Sequence, residues 1–246
     1  AGTGSEASFA AVIKDREERI KFQVADFSMC PRLAVLDPEA TRTLPPAIAA
    51  ATGMDAMTHA IEGHVSSEWN PHASAYALQA LRLIRDNLER AVTEPGDDDA
   101  RGNMLIAANL AIHPTASGAI GITHSLSHPC GAHYDVPHGI ANAIHLPWVI
   151  EFNAAGGDPI ADRYREINQI LGLEAGGSGE QVGHALAEHV RALVRTLGLP
   201  GRLSEVGVPE AGIPQLVEGA EGDGCTLVNP RETTAEDFAE LYRRAM

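Results

Sequence analysis

The chain has 246 residues, 44% of them hydrophobic and only 4% aromatic, with a formal net charge of −15. That length and apolar content support one large core or two small ones, and plentiful Ala, Leu, Ile and Gly favour closely packed helices over a sandwich or barrel. The negative charge argues against nonspecific binding to nucleic acid or to an anionic membrane surface, both of which need a positive face.

In chain order, the first forty residues carry short mixed runs, Ala7 to Ile13, Phe22 to Val24 and Leu33 to Leu36, broken by the charged KDREER turn and by Pro31 and Pro38. These are strand and hairpin signals. Asp37 before Pro38 marks a helix start, Pro45 and Pro46 restart the chain, and Ala47 to Thr52 lead to Gly53. His72 to Val92 places Ala, Leu and Ile at three- and four-residue spacing, an apolar helical stripe stopped by EPGDDDA. Asp97, Asp98 and Asp99 read as a solvated loop. Gly102 to Ile112 reads as a helix interrupted by His113 and Pro114, and Ser117 to Cys130 resumes it through small residues that permit close approach. Pro137 puts His138 near the start of a further helix. Helices follow at Pro159 to Leu171, Gln181 to Leu197, Ile213 to Glu218 and Thr234 to Ala245, the last capped through Thr233 and Thr234 with Glu236 and Asp237.

The chemistry lies in TGMDAMTHAIEG, with Asp55 and His59, and in GITHSLSHPCGAHYDVPHGIANAI, with His124, His128 and His138. The D-x3-H and H-x3-H-x9-H spacings put each four-residue pair on one helix face, so two facing helices can converge their side chains on one point. Three imidazoles and one carboxylate suit Fe(II) or Zn(II) and leave a position open for a substrate oxygen or water. A lone His on an apolar face is more often a hydrogen-bonded core or surface residue, which is the reading for His64, His72, His113, His133, His145, His184 and His189. Asp55, His59, His124 and His138 are set apart because each sits in a Gly- or Pro-punctuated apolar stretch. Cys30, Cys130 and Cys225 are far apart and lack C-x-x-C spacing, so neither a disulfide framework nor a thiolate zinc site is indicated and a reducing cytosol fits. No run of about 18 apolar residues and no basic-then-apolar leader appears, so a soluble cytoplasmic protein is expected, with no membrane partner.

These two motifs closely resemble the iron-containing (group III) alcohol dehydrogenases, a branch of the dehydroquinate synthase-like superfamily. AGTGSE at the start resembles the end of that family's T-T-x-x-G-T-G-S-E cofactor loop, PPAIAAATG its lead-in to the metal Asp, and LPGRLSEVGV with NPRETTAEDFAELYRRA its closing segments. The resemblance implies a mainly α chain: a helical metal-binding domain of the dehydroquinate synthase-like fold over 41–246, preceded by a strand and hairpin remnant of the α/β nucleotide-binding domain over 1–40. It implies Asp55, His59, His124 and His138 as ligands of Fe(II), with Zn(II) the alternative because imidazole suits both. His128 then lines the catalytic cleft, Glu62, one turn after His59, is either a partner of the site or a helix-surface carboxylate, and Thr3, Gly4, Ser5 and Lys21 face an NAD or NADP cofactor, with a surface lysine beside the KDREER turn the alternative for Lys21.

The implied activity is metal-dependent transfer of a hydride between NAD(P) and a small primary alcohol, diol or aldehyde, in a homo-oligomer expected to be a dimer. The family's GGGS-type phosphate loop is expected upstream of residue 1, so the alternative is a non-catalytic metal-binding helical fragment lacking the nucleotide-binding half. AIHPTASGAIGITH, with its Pro114 kink, departs from the family's usual stretch before the first cleft His, and His64 and His133 replace positions that are commonly aromatic. The pocket that chooses the substrate is therefore expected to differ from that of any one relative.

Overall fold

The computed structural model describes residues 3–114 and 120–246. At its centre runs helix α1 (Pro46–Val65), in which every residue from Gly53 to Val65 is buried. A helix buried on all sides needs small residues to let neighbours approach, and α1 supplies Ala and Gly at the contacts. Gly53 does not end it: Leu88 fills the space where a side chain would project. Around α1 stand α2 (Pro71–Thr93), α3 (Asp98–Ile112), α5 (His138–Ala154) and α6 (Asp158–Leu171).

Local chemistry accounts for the boundaries. Asn70 accepts from the Ala73 amide ahead of Pro71 to start α2, and Asp97 accepts from the Ala100 amide to start α3. The Asp97–Asp99 run is thus not the solvated loop that its charge suggested. Its first carboxylate caps a helix and the next two lie in the first turn, where the helix dipole favours them. The helix start expected at Asp37 is a 3-10 turn over Pro38–Thr41. Helix α4 (Ile122–Tyr134) contains Pro129 and ends with Asp135 in the left-handed region at φ 57°. The Ser117 start expected for this helix lies outside the described residues. Capping boxes open α7 (Gly179–Thr196) at Ser178 and α9 (Ala235–Ala245) at Thr234, and α8 (Ile213–Glu221) begins with Pro214 in its first turn.

The helices form two cores. One joins α1, α2, α3, α6 and α7 with one side of α5; the other joins α4, α8 and α9 with the other side of α5, around Phe238, Tyr242 and Leu126. Gly139, in the first turn of α5, lets that helix meet α1 closely, since a Cβ there would overlap the Ala51 carbonyl oxygen. His138 is thereby brought one turn from the level of Asp55.

Before the helices comes an antiparallel hairpin, β1 (Ala10–Asp15) and β2 (Ile20–Ala25), in register from Ala10 opposite Ala25 to Asp15 opposite Ile20. Strand β1 begins at Ala10 rather than Ala7, because residues 5–7 form a 3-10 turn. Leu33 to Leu36 is not a strand; Leu33 and Val35 are exposed, and no third strand pairs with the hairpin among the described residues. A β-branched and apolar run becomes a strand only where a neighbour completes its hydrogen-bond ladder. Lys14 ties the hairpin to the end of α4, donating to the Gly131 carbonyl at 2.8 Å and to Asp135. Among the described residues, no helix is long and apolar enough to cross a membrane.

Candidate metal centre and cleft

The site forms where the two cores meet, at the junction of α1, α4 and α5. Asp55 from α1, His124 from α4 and His138 from α5 offer ligand atoms that all lie within 4.8 Å of one another. Asp55 Oδ1 is 3.5 Å from His138 Nε2 and 3.9 Å from His124 Nε2. Burial pushes the His124 and His138 imidazoles well below their ordinary values, so both are neutral, as a metal ligand must be. His59, one turn after Asp55, stacks face to face on His124 with ring centroids 4.8 Å apart, and stands outside that mutually close group while lining the same cleft.

Asn142 lies at the focus of this set. Its Nδ2 donates to Asp55 Oδ1 at 2.7 Å and is 3.3 Å from both His124 Nε2 and His138 Nε2. The carboxylate oxygen and the two imidazole nitrogens converge on the electropositive end of a neutral amide, while Asn142 Oδ1, His59 Nδ1 and His138 Nδ1 are buried without hydrogen-bond partners among the described residues. Such an arrangement of acceptors is one that a cation would satisfy. Asn142 was not singled out in the sequence, although it follows His138 by four residues on the same helix face, which is the spacing that could have found it.

Behind His124 sits Glu62, 3% exposed. Its Oε2 accepts from His124 Nδ1 at 2.6 Å and its Oε1 from the Thr123 amide at 2.7 Å. Helix α4 has no side-chain cap of its own, so a carboxylate from α1 closes its N-terminus and, through the same group, holds Nδ1 of His124 as the protonated nitrogen. Burial drives Glu62 up to about 7, against the hydrogen bonds from Thr123 and Gly121. Asn229 completes the support: its Oδ1 accepts from Asn153, whose own Oδ1 accepts in return from Asn229 Nδ2.

These groups open on a cleft of about 770 Å³ that also reaches the hairpin and residues 224–228. His128, one turn beyond His124, lines it and is stacked on His138 with centroids 5.3 Å apart. Its Nδ1 lies 2.6 Å from Asp223 Oδ2, a residue the sequence reading missed because it comes from a loop 95 positions later with no periodic signal. Of the four residues assigned to the cofactor, Thr3, Ser5 and Lys21 line the cleft. Gly4 turns the other way: at φ 63° it packs onto α3, where a Cβ would collide with the Ala108 carbonyl and Ile112. Burial, and then Lys14 nearby, lowers the Lys21 ammonium below its ordinary value.

A buried carboxylate and imidazoles gathered in a cleft of a helical domain have the chemistry of a divalent-metal centre. The sequence model of the Fe-containing alcohol dehydrogenase family, C-terminal, matches residues 49–246, and the chain belongs to that family. It is 40% identical over 246 residues to lactaldehyde reductase of Escherichia coli, covering 100% of this chain and 63% of that protein. It is 36% identical over 249 residues to the NAD-dependent methanol dehydrogenase of Bacillus methanolicus, covering 100% of this chain and 64% of the relative. The crystal structure of a 1,3-propanediol oxidoreductase superposes with a TM-score of 0.93 at 33% identity, over 100% of this chain and 64% of that one. The chain thus spans a little under two thirds of the length of these relatives.

Proposed function

We propose that this chain carries the metal centre and substrate cleft of an NAD(P)-dependent alcohol dehydrogenase that interconverts a small primary alcohol or diol with its aldehyde. The observation that carries this reading is the convergence of Asp55 Oδ1, His124 Nε2 and His138 Nε2 on Nδ2 of Asn142, with Asp55, His124 and His138 all lining the cleft. Asp55, His124, His138 and, beside them, His59 would hold Fe(II), with Zn(II) the alternative that the same donors fit. The bound ion supplies Lewis-acid polarisation to an alcohol or carbonyl oxygen in the cleft.

The chain's own side chains do the rest. Asp55 brings the negative charge, Glu62 orients His124, and Asn142 orients Asp55. His128 moves a proton at Nε2, the nitrogen not engaged by Asp223. Thr3, Ser5 and Lys21 face an anionic dinucleotide, NAD or NADP, and Gly4 supplies the left-handed turn between the two hydroxyls. Residues 1–40 are read as part of the cofactor-binding unit and 41–246 as the helical metal-binding domain of a cytoplasmic homo-oligomer, a dimer. The names of the relatives, which include lactaldehyde reductase and 1,3-propanediol dehydrogenase, support short oxygenated substrates.

The second reading is a non-catalytic metal-binding fragment. One experiment separates the two. The chain is loaded anaerobically with Fe(II), its metal content is measured, and NADH and NADPH oxidation is followed with a panel of short aldehydes. Turnover supports the dehydrogenase; a filled metal site without turnover or NAD(P)H binding supports the fragment.

A further inference from the structure

We propose that Asp223 is a positioning residue that fixes His128 as the Nδ1–H tautomer and directs its Nε2 lone pair into the cleft. The inference rests on reading the cleft as the reaction site, and it concerns a residue outside the metal-ligand pattern.

Asp223 follows α8 and caps the 3-10 turn Gly224–Val228. Its Oδ1 accepts from the Cys225 amide at 2.9 Å and its Oδ2 faces His128 Nδ1 at 2.6 Å. The turn cannot drift from α4, because Thr226 Oγ1 is 2.9 Å from Ser125 Oγ, one turn before His128. It is also tied to the end of α1, where the Ser67 amide and the Ser66 hydroxyl both donate to the Val228 carbonyl at 3.0 and 3.1 Å. The carboxylate therefore reaches His128 from a frame anchored at both sides of the cleft. On its other side the His128 ring lies nearly parallel to His138, at 14°, so both its tilt and its rotation are set.

A deprotonated carboxylate only accepts. Burial opposes the charge on Asp223, but hydrogen bonds from His128 and from Cys225 outweigh it and hold the group at about 2. Nδ1 of His128 must then carry the ring proton, which leaves Nε2 as an acceptor. In alcohol oxidation the hydroxyl proton passes to Nε2 while the electron pair of the breaking C–H bond leaves toward the nicotinamide, and C–O becomes C=O. In reduction the same proton returns from Nε2 to oxygen. The Nδ1 proton stays on His128 throughout.

His128, Asp223 and Cys225 also have the proximity of a cation site. The facing atoms of His128 and Asp223 are engaged with each other, however, and burial raises the Cys225 thiol well above its ordinary value, which keeps it a neutral thiol. A hydrogen-bonded dyad accounts for the geometry without a second ion.

The test compares the wild-type chain with Asp223→Asn, Asp223→Glu and His128→Ala, each loaded with Zn(II) for spectroscopy. Long-range ¹H–¹⁵N correlation of the histidine rings, with His128→Ala for assignment, reads the tautomer directly. Asp223→Asn, of nearly the same shape, is expected to move His128 from Nδ1–H toward Nε2–H, with Zn(II) content unchanged, and Asp223→Glu to restore Nδ1–H. In turnover, kcat is expected to fall on the order of 10²-fold in Asp223→Asn with KM for aldehyde nearly constant. Persistence of the Nδ1–H signal in Asp223→Asn, or loss of bound Zn(II) in that variant with the fold intact by circular dichroism, overturns the proposal. If the wild-type chain shows no turnover, the dehydrogenase reading fails while the tautomer measurement still decides the role of Asp223.

Discussion

Substituting Glu62 by Gln tests whether metal affinity depends on a residue that is not itself a ligand. The change keeps size and shape but presents an NH2 group to one of two partners. If Oε1 of the amide continues to accept from the Thr123 amide, the nitrogen faces His124 Nδ1 at a wild-type separation of 2.6 Å. Two donors cannot share that contact, so His124 must move its proton to Nε2, the nitrogen aimed at Asp55 and His138. Groups that hydrogen-bond to metal-bound histidines are worth roughly 10- to 100-fold in metal affinity, or about 1.4–2.8 kcal/mol. Glu62→Gln is expected to weaken Zn(II) binding by that factor, read by competition with a chromophoric chelator. Glu62→Ala also leaves the first amides of α4 without a cap, and is expected to cost the metal-free chain roughly 3 kcal/mol in urea denaturation, from two lost charge-assisted hydrogen bonds at about 1.5 kcal/mol each. Unchanged Zn(II) affinity in Glu62→Gln would refute the reasoning, because it would mean that the tautomer of His124 is indifferent to its partner.

The ligand set makes its own forecast: Asp55→Ala, His124→Ala and His138→Ala are expected to lose bound metal on dialysis, while His128→Ala retains it with reduced turnover; metal analysis that reversed the last two would exchange their roles. Gly139→Ala places a methyl against the Ala51 carbonyl, and is expected to destabilise the chain by about 1–3 kcal/mol and to weaken metal binding as α5 shifts from α1; a wild-type melting curve would show that the close approach is not required. Burial lowers His64 to about 4 and His145 to about 3, and both side chains are fully buried. Because the folded values lie below the unfolded one of about 6.5, the unfolded chain binds more protons in this window. The stability these neutral imidazoles contribute is present above pH ~6.5 and lost as pH falls, by about 2 kcal/mol each between pH 7 and 5. Urea denaturation of the metal-free chain at those two pH values should show this loss, with a smaller one in His145→Gln; an equal slope in that variant would rule out His145 as a source.

Sequence periodicity located the long helices because their apolar stripes are continuous, but it misjudged the places where one local signal competes with tertiary packing. Gly53 has the look of a helix end, yet it sits inside α1, where its missing side chain makes room for Leu88. Asp97 to Asp99 has the composition of a loop and the geometry of a helix start, a distinction that depends on whether the Ala100 amide needs an acceptor. Leu33 to Leu36 has the composition of a strand, and no neighbouring strand among the described residues completes it. In each case the residue's intrinsic preference was read correctly, and the contact that overrode it comes from far along the chain or from a backbone group that sequence does not display.

The same division runs through the candidate site. The D-x3-H and H-x3-H spacings were legible because helices convert a four-residue interval into a shared face, and the cleft brings Asp55, His124, His128 and His138 together. What holds them is carried by contacts of 61 positions, Glu62 to Thr123, of 87 positions, Asn142 to Asp55, and of 95 positions, Asp223 to His128. Glu62 had seemed as suited to a helix surface as to a site, and it is buried because α4 arrives without a cap and needs an acceptor at that point. A buried carboxylate is costly unless its oxygens are engaged, so the fold places one only where a helix terminus and an imidazole can both use it. The support of the centre is therefore part of the stability of the helix junction, and a substitution that loosens one is expected to loosen the other.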